Sequence, residues 1–166
     1  MFKKLFGKKE EVSKVVELSS PLTGKVIALE EVPDPVFSQK MMGDGLAIEP
    51  TEGKVVSPVD GEIMQLFPTK HAVGIKAENG AEILIHIGLE TVNMKGEGFE
   101  AHIAQGDQVK KGDTLVTFDL ALVGEKASST VTPIIITNGD DMESVNKSGS
   151  GAVTAAQDVV LTVTAK

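Results

Sequence analysis

From about Ser19 onward the chain is a succession of short apolar stretches, each broken within a few residues by Gly, Pro, Asn or Asp. Residues 25–29, 46–48, 54–56, 62–66, 73–76, 83–87, 114–118, 133–137 and 159–163 are the clearest of them. Each is long enough for a strand and too short for a helix that buries a face, and turn residues at such regular intervals predict an all-β, antiparallel sandwich or barrel. Two short helices fit between the strands, at 35–40 and 120–126. No apolar run approaches the roughly 18 residues that a membrane-spanning helix needs.

The strands carry an internal repeat. Ser20-Pro-Leu-Thr-Gly24 leads into Lys25-Val-Ile-Ala-Leu29, and 37 residues later Ser57-Pro-Val-Asp-Gly61 leads into Glu62-Ile-Met-Gln-Leu66. A Ser-Pro turn, a Gly and then a strand, twice over, predict two copies of one β motif packed together. Gly106-Asp-Gln-Val-Lys-Lys-Gly112-Asp-Thr-Leu115 adds the GDxVxxGDxL turn-and-strand pattern found in biotinyl and lipoyl barrels. That pattern is a turn device and argues for architecture alone.

Composition narrows the chemistry. The chain has no Cys, which excludes disulfides, thiolate nucleophiles and thiolate-bound zinc. All 16 basic residues are Lys, so a bidentate guanidinium clamp on phosphate is unavailable. A net charge of −8 argues against nucleic acid as a partner. The charge is divided: residues 1–9, MFKKLFGKK, hold four lysines and no acid, while all 24 acids lie further on. Residues 1–17 therefore read as a basic tail, flexible or amphipathic, and 18–166 as a single domain. Phe2, Leu5 and Phe6 fall at helical spacing among the lysines, which fits weak, reversible contact with an anionic membrane surface. The tail lacks the apolar core and cleavage site of a signal peptide.

The three histidines are His71, His86 and His102. Between the first two lies Asn79-Gly80, a strong signal for a two-residue hairpin loop. With Glu78 opposite Ala81, Val73 faces His86 and His71 faces Gly88, so both imidazoles emerge from one face as diagonal neighbours, roughly 7–8 Å apart at Cα. Leu84 shares that face. Ile83, Ile85 and Ile87 form the opposite, purely apolar face and point to the core. Two convergent imidazoles can bind a metal, act as acid and base, or divide the work of nucleophile and charge stabiliser. His102 has no such partner and reads as structural or solvent-exposed.

Further motifs, in order along the chain, carry a family resemblance. They are Val32-Pro-Asp-Pro-Val-Phe37, Lys40-Met-Met-Gly-Asp-Gly45, Phe67-Pro-Thr-Lys-His71, Ile85-His-Ile-Gly-Leu-Glu-Thr-Val92 and Lys95-Gly-Glu-Gly-Phe99. With the two Ser-Pro motifs and the 106–115 turn, they make residues 18–166 resemble the glucose-type enzyme IIA domain of the bacterial phosphotransferase system. The resemblance implies a β-sandwich of duplicated hybrid-motif type and a phosphocarrier activity. His86 would accept a phosphoryl group on Nε2 from the phosphohistidine of HPr and pass it to the cysteine of an enzyme IIB domain during sugar uptake. His71 would support the phosphoryl group, Thr69 would orient the His71 ring, and the backbone carbonyl at Gly88 would fix the His86 tautomer. Asp34, Val36, Phe37, Met41, Met42, Phe67, Leu84 and Glu90 would form the docking surface for HPr and for the IIB/IIC permease. Glu90 stands where the family often has Asp. A cytoplasmic protein, peripheral at the inner face of the membrane, is implied, with regulatory protein targets as a further use of the same surface. No cofactor is required, although a zinc ion shared by His71 and His86 with a partner is compatible with the pair.

Two alternatives are weaker. Met94-Lys95 resembles a biotinyl or lipoyl attachment site, but Lys95 lies only 11 residues before Gly106. A zinc hydrolase of LytM type would need a second His at position 88, where the chain has Gly. A non-catalytic regulatory or metal-binding domain of the same architecture is the remaining reading.

Overall fold

The computed structural model describes residues 14–166. Their strands pair antiparallel in three sheets. The central sheet has eight strands in the order β13 (Gly151–Val153), β2 (Gly24–Ala28), β3 (Asp44–Pro50), β11 (Thr132–Ile136), β7 (Glu82–His86), β6 (Ala72–Ala77), β5 (Gly61–Leu66) and β9 (Gln108–Val109). One three-stranded sheet is β1 (Val15–Ser19), β14 (Val159–Ala165) and β12 (Met142–Lys147). The other is β4 (Lys54–Val56), β10 (Thr114–Phe118) and β8 (Phe99–Ala101). Helices α1 (Pro35–Ser38) and α2 (Leu120–Lys126) are both short, as the sequence predicts. Because β1 starts at Val15 and pairs with β14, residues 15–17 belong to the sheet and not to the tail. The expected membrane contact of residues 1–9 lies outside the described residues.

The repeat is real and extends further than the two Ser-Pro motifs. Fully buried Ser20 donates its hydroxyl to the Leu22 carbonyl at 2.6 Å, and Ser57 does the same to Val59 at 2.7 Å. The copies also bind each other reciprocally: Ser19 N–H donates to Pro58 O, and Val56 N–H to Pro21 O. A local twofold relates them. It exchanges the two small sheets and reverses the large one, passing through the β11–β7 ladder at the pair Ile134 and Ile85. The 106–115 turn belongs to one copy, with Asp113 accepting from Lys110 N–H. Its counterpart is at 154–158, where Asp158 accepts from Thr154 N–H. That counterpart was invisible in sequence because Ala156, at φ 65°, takes the left-handed position that Gly112 fills at φ 94°.

The main core lies between the large sheet and the small ones. Ile83, Ile85, Ile87, Ile134 and Ile136 meet Leu18, Leu115, Val116, Leu161 and Val163 there. The β11 strand is buried on both faces, which explains its unbroken apolar run. Its other face, through Ile135, joins a smaller cluster with Leu29, Val32, Phe37, Ala47, Ala72, Leu84 and Leu89. This second cluster underlies the histidines.

The β6–β7 hairpin differs from the sequence expectation by one residue. Ala77 N–H donates to Ala81 O and Gly80 N–H to Ala77 O, with Gly80 at φ 92°. The loop is therefore three residues long, with Gly in the left-handed position. Ala72, not Val73, stands opposite His86. The Asn79 amide explains the choice. It donates to Lys14 O and Val163 O, while its oxygen accepts from Ala81 N–H. Asn138 ties the same loop through Gly80 O and Glu82 N–H. Partners 56 or more residues away set the register, and a local pattern cannot contain them.

Candidate active site

With Ala72 opposite His86, strict alternation would send the His71 side chain to the core face. It does not go there. His71 precedes the first residue of β6 and follows Lys70, whose φ of 63° turns the chain. Its carbonyl still accepts from Ile87 N–H at 2.7 Å, but its ring crosses to the His86 side. The two imidazoles meet edge to face with centroids 5.0 Å apart. The expected meeting of the rings holds, but by a turn and not by shared strand parity.

Each ring is held at one nitrogen. His86 Nδ1–H donates to the Gly88 carbonyl at 2.8 Å. His71 Nδ1 is hydrogen-bonded to the Thr69 hydroxyl. Each ring is also backed by a phenylalanine: Phe37 lies 5.1 Å from His86 and Phe67 lies 5.6 Å from His71, centroid to centroid. These two rings come from equivalent turns of the repeat, for Lys40 N–H donates to Phe37 O as Lys70 N–H does to Phe67 O. Both lysines are left-handed.

Burial decides the charge state. It pushes the imidazole of His71 down to about 4, with help from the adjacent His86 ring. Burial also lowers His86 below its usual value, against the opposing pull of the Gly88 carbonyl and of the Asp34 carboxylate. Both rings are therefore neutral at pH 7, and the nitrogen of His86 that is not bound to Gly88, Nε2, carries a lone pair.

The rings open into a cavity of about 310 Å³. Asp34, Val36, Phe37, Met42, Phe67, Leu84 and Glu90 line it, together with Val92, which sequence reasoning missed. Phe37 and Leu84 are buried and form the floor, while Val36, Met42 and Val92 stand exposed at the rim. Met41, at 69% the most exposed of the large apolar side chains among the described residues, faces an adjoining hollow instead. Asp34 caps α1 by accepting from Val36 N–H at 3.0 Å. Glu90 accepts from the Ser128 hydroxyl. Val92 lies inside the quoted 85–92 motif; its exposure follows from Glu90 adopting φ 59°, a turn that no residue type there announces. His102 bonds Thr117 at an exposed site away from the pair.

Among the described residues no group of three or more His, Cys, Asp or Glu is placed to hold a metal ion, so the shared-zinc reading has no support. Lys95 follows a 3₁₀ turn at Thr91–Met94 and not a hairpin tip, which leaves the carrier-lysine reading without its usual setting.

A β-sandwich built from two copies of one motif, with two neutral imidazoles at an apolar opening, defines a class of phosphoryl carrier. Residues 16–142 match the family described as phosphoenolpyruvate-dependent sugar phosphotransferase system, EIIA 1, and the chain belongs to that family. It is thus a phosphotransferase component that carries phosphohistidine in sugar uptake. The glucose-specific EIIA component of Bacillus cereus is 61% identical to it over 166 residues, 100% of each chain. That of Staphylococcus epidermidis is 53% identical over 164 residues, 99% of each. The glucose permease IIA from Mycoplasma capricolum has the same fold, with a TM-score of 0.82 and 42% identity, covering 93% of this chain and 99% of that one. No helix among the described residues is long and apolar enough to cross a membrane.

Proposed function

We propose that His86 Nε2 accepts the phosphoryl group from the phosphohistidine of HPr and donates it to the cysteine of an enzyme IIB domain. In the first step the N–P bond to the HPr imidazole breaks as the N–P bond at His86 forms, and the HPr ring leaves neutral. In the second, a cysteine thiolate forms an S–P bond and His86 leaves as the neutral ring. Neither step needs more than a positioned nucleophile and donors to the phosphoryl oxygens.

The observation that carries this reading is the hydrogen bond from His86 Nδ1–H to Gly88, which commits one nitrogen and leaves Nε2 basic. His71 supplies the donor. With the Thr69 hydroxyl donating to its Nδ1, the His71 proton resides on Nε2, the end free to meet a phosphoryl oxygen. Its depressed basicity keeps it a neutral donor, which binds the incoming group without repelling a basic partner.

The rim of Val36, Met42 and Val92, with exposed Met41 beside it, is the docking surface for both partners in turn. Methionine adapts to differently shaped faces. Asp34 and Glu90 supply its acidic edge, and the acidic body steers basic partners toward it. The names of the relatives make a glucose-specific IIB/IIC permease the partner we favour. These partners place the protein in the cytoplasm, with the basic residues 1–9 bringing it to the inner face of the membrane. The same rim serves regulatory targets that read the phosphorylation state.

Incubation with phosphoenolpyruvate, enzyme I and HPr, followed by mapping of the labelled residue, tests the assignment. Label at His86, lost in His86→Ala, supports it; normal labelling of His86→Ala overturns it.

A further inference from the structure

We propose that two buried threonines, Thr91 and Thr132, are positioning residues that set the tautomer of His86 by clamping the backbone it leans on. This rests on the reading of His86 as phosphoacceptor.

The Gly88 carbonyl is useful to His86 only if it is held still. Gly88 has φ 71°, and three neighbours crowd it so closely that a Cβ there would lie 2.6 Å from Thr91 Cγ2 and 2.9 Å from Ser129 O. The two peptide units around it are saturated. In the first, between residues 87 and 88, Ile87 C=O accepts from the Thr91 hydroxyl at 2.6 Å, and Gly88 N–H donates to the Thr132 hydroxyl oxygen at 3.3 Å. In the second, Gly88 C=O accepts from His86, and Leu89 N–H donates to Ser129 O at 2.9 Å. The Thr132 hydroxyl in turn donates to Thr130 O at 3.0 Å, which leaves its oxygen as an acceptor toward Gly88.

Both threonines are 0% exposed. Thr132 sits where β11 otherwise presents Ile134, Ile135 and Ile136, and Val would fill the same volume. A hydroxyl at each of these positions therefore has a directed role. Thr91 holds the peptide from its oxygen side and Thr132 from its nitrogen side, so the carbonyl that follows points at Nδ1. With that carbonyl loosened, the proton on His86 redistributes toward Nε2, and the nucleophilic form is depleted.

The test compares the unaltered protein with Thr132→Val, Thr132→Ser, Thr91→Val and Thr91→Ser, each labelled with ¹⁵N in histidine. The His86 ring shifts of the unphosphorylated protein report the tautomer. Initial rates with phospho-HPr report acceptance. The Val variants should raise the Nε2–H form of His86 about fivefold relative to the unaltered protein, the effect of one hydrogen bond. They should slow acceptance by up to about fivefold, the most that such a shift can deplete the nucleophilic tautomer. The Ser variants should restore both. Slower acceptance with His86 shifts unchanged, or equal loss in Val and Ser, would overturn the proposal. If Thr132→Val does not fold, Thr91→Val reads the same peptide from its other side. The ring shifts do not depend on where phosphate goes, so phosphate mapped elsewhere would sink the acceptor reading alone.

Discussion

The β6–β7 half of the central sheet and the β3–β11 half are copies of one design, yet only the first carries the paired histidines. Ala72 faces His86 in the first, and Gly45 faces Ile135 at the corresponding place in the second. The Phe67–Lys70 turn leads directly to His71. The matching Phe37–Lys40 turn is followed by three extra residues, Met41, Met42 and Gly43, before Asp44 opens its strand. Asp44 is consumed structurally, by Lys147 at 2.8 Å and Lys40 at 3.5 Å. One copy thus supplies two imidazoles. The other supplies the apolar ring behind His86, the capping Asp34 and the exposed methionines. Duplication provides one scaffold twice, and on the proposed reading divergence at a few positions splits it into a reacting half and a docking half.

The sharpest way to break this comparison is to empty equivalent positions. His86→Ala should abolish phosphoacceptance while thermal unfolding changes little. Ile135→Ala should do the reverse, destabilising by about 2–5 kcal/mol with acceptance retained in the folded fraction. Loss of acceptance in folded Ile135→Ala would mean the halves are not functionally divided.

A smaller effect separates the two imidazoles. His71→Gln should accept phosphate from HPr but pass it to IIB about a hundredfold more slowly, since one donor to the transferring group is misplaced. Equal slowing of both transfers, measured by single-turnover kinetics, would remove the division of labour.

The docking half is tested at its rim. Phe37 is 4% exposed and lies in the floor, so substituting it would disturb the fold. Val36→Asp with Met41→Asp touches only exposed side chains and should weaken both transfers about tenfold with unchanged unfolding. Unchanged kinetics would place docking elsewhere.

Acid provides the subtlest probe. Burial lowers both imidazoles, so the unfolded chain binds protons that the folded chain refuses, and stability falls as pH drops below about 6.5. For His71, whose folded value is about 4, the loss between these limits is about 3 kcal/mol. Urea titrations of His71→Gln should show a correspondingly flatter pH dependence. Acceptance should persist below pH 6.5, because His86 stays neutral there, and fail as pH passes its lowered value.

Most of this fold was legible because strands of alternating or unbroken apolar residues end at Gly, Pro and Asn. The core face of Ile83, Ile85 and Ile87 and the two short helices follow from those patterns alone. Strands β1, β12 and β13 were not: Val-Glu-Leu-Ser alternates over only four residues, Met-Glu-Ser-Val and Gly-Ala-Val do not alternate, and all three depend on pairing with β14 and β2. At the site, the convergence of the histidines was expected from a hairpin register that does not hold: distant carbonyls bind Asn79 and shift the loop by one residue, and the turn at Lys70 brings His71 back to the His86 side. The motif that resembles the family named Thr69 and Gly88. Thr91 and Thr132 remained hidden, since a buried hydroxyl is recognisable only once its backbone partner is in place.

The central claim concerns one atom. Phosphorylation of ¹⁵N-histidine-labelled protein by HPr, followed by NMR detection of the phosphorus–nitrogen coupling, identifies the bonded nitrogen directly. Coupling to His86 Nε2, with the Nδ1 proton still donated to Gly88, is the predicted result. Coupling at His71, at His102, or at Nδ1 of His86 would contradict it.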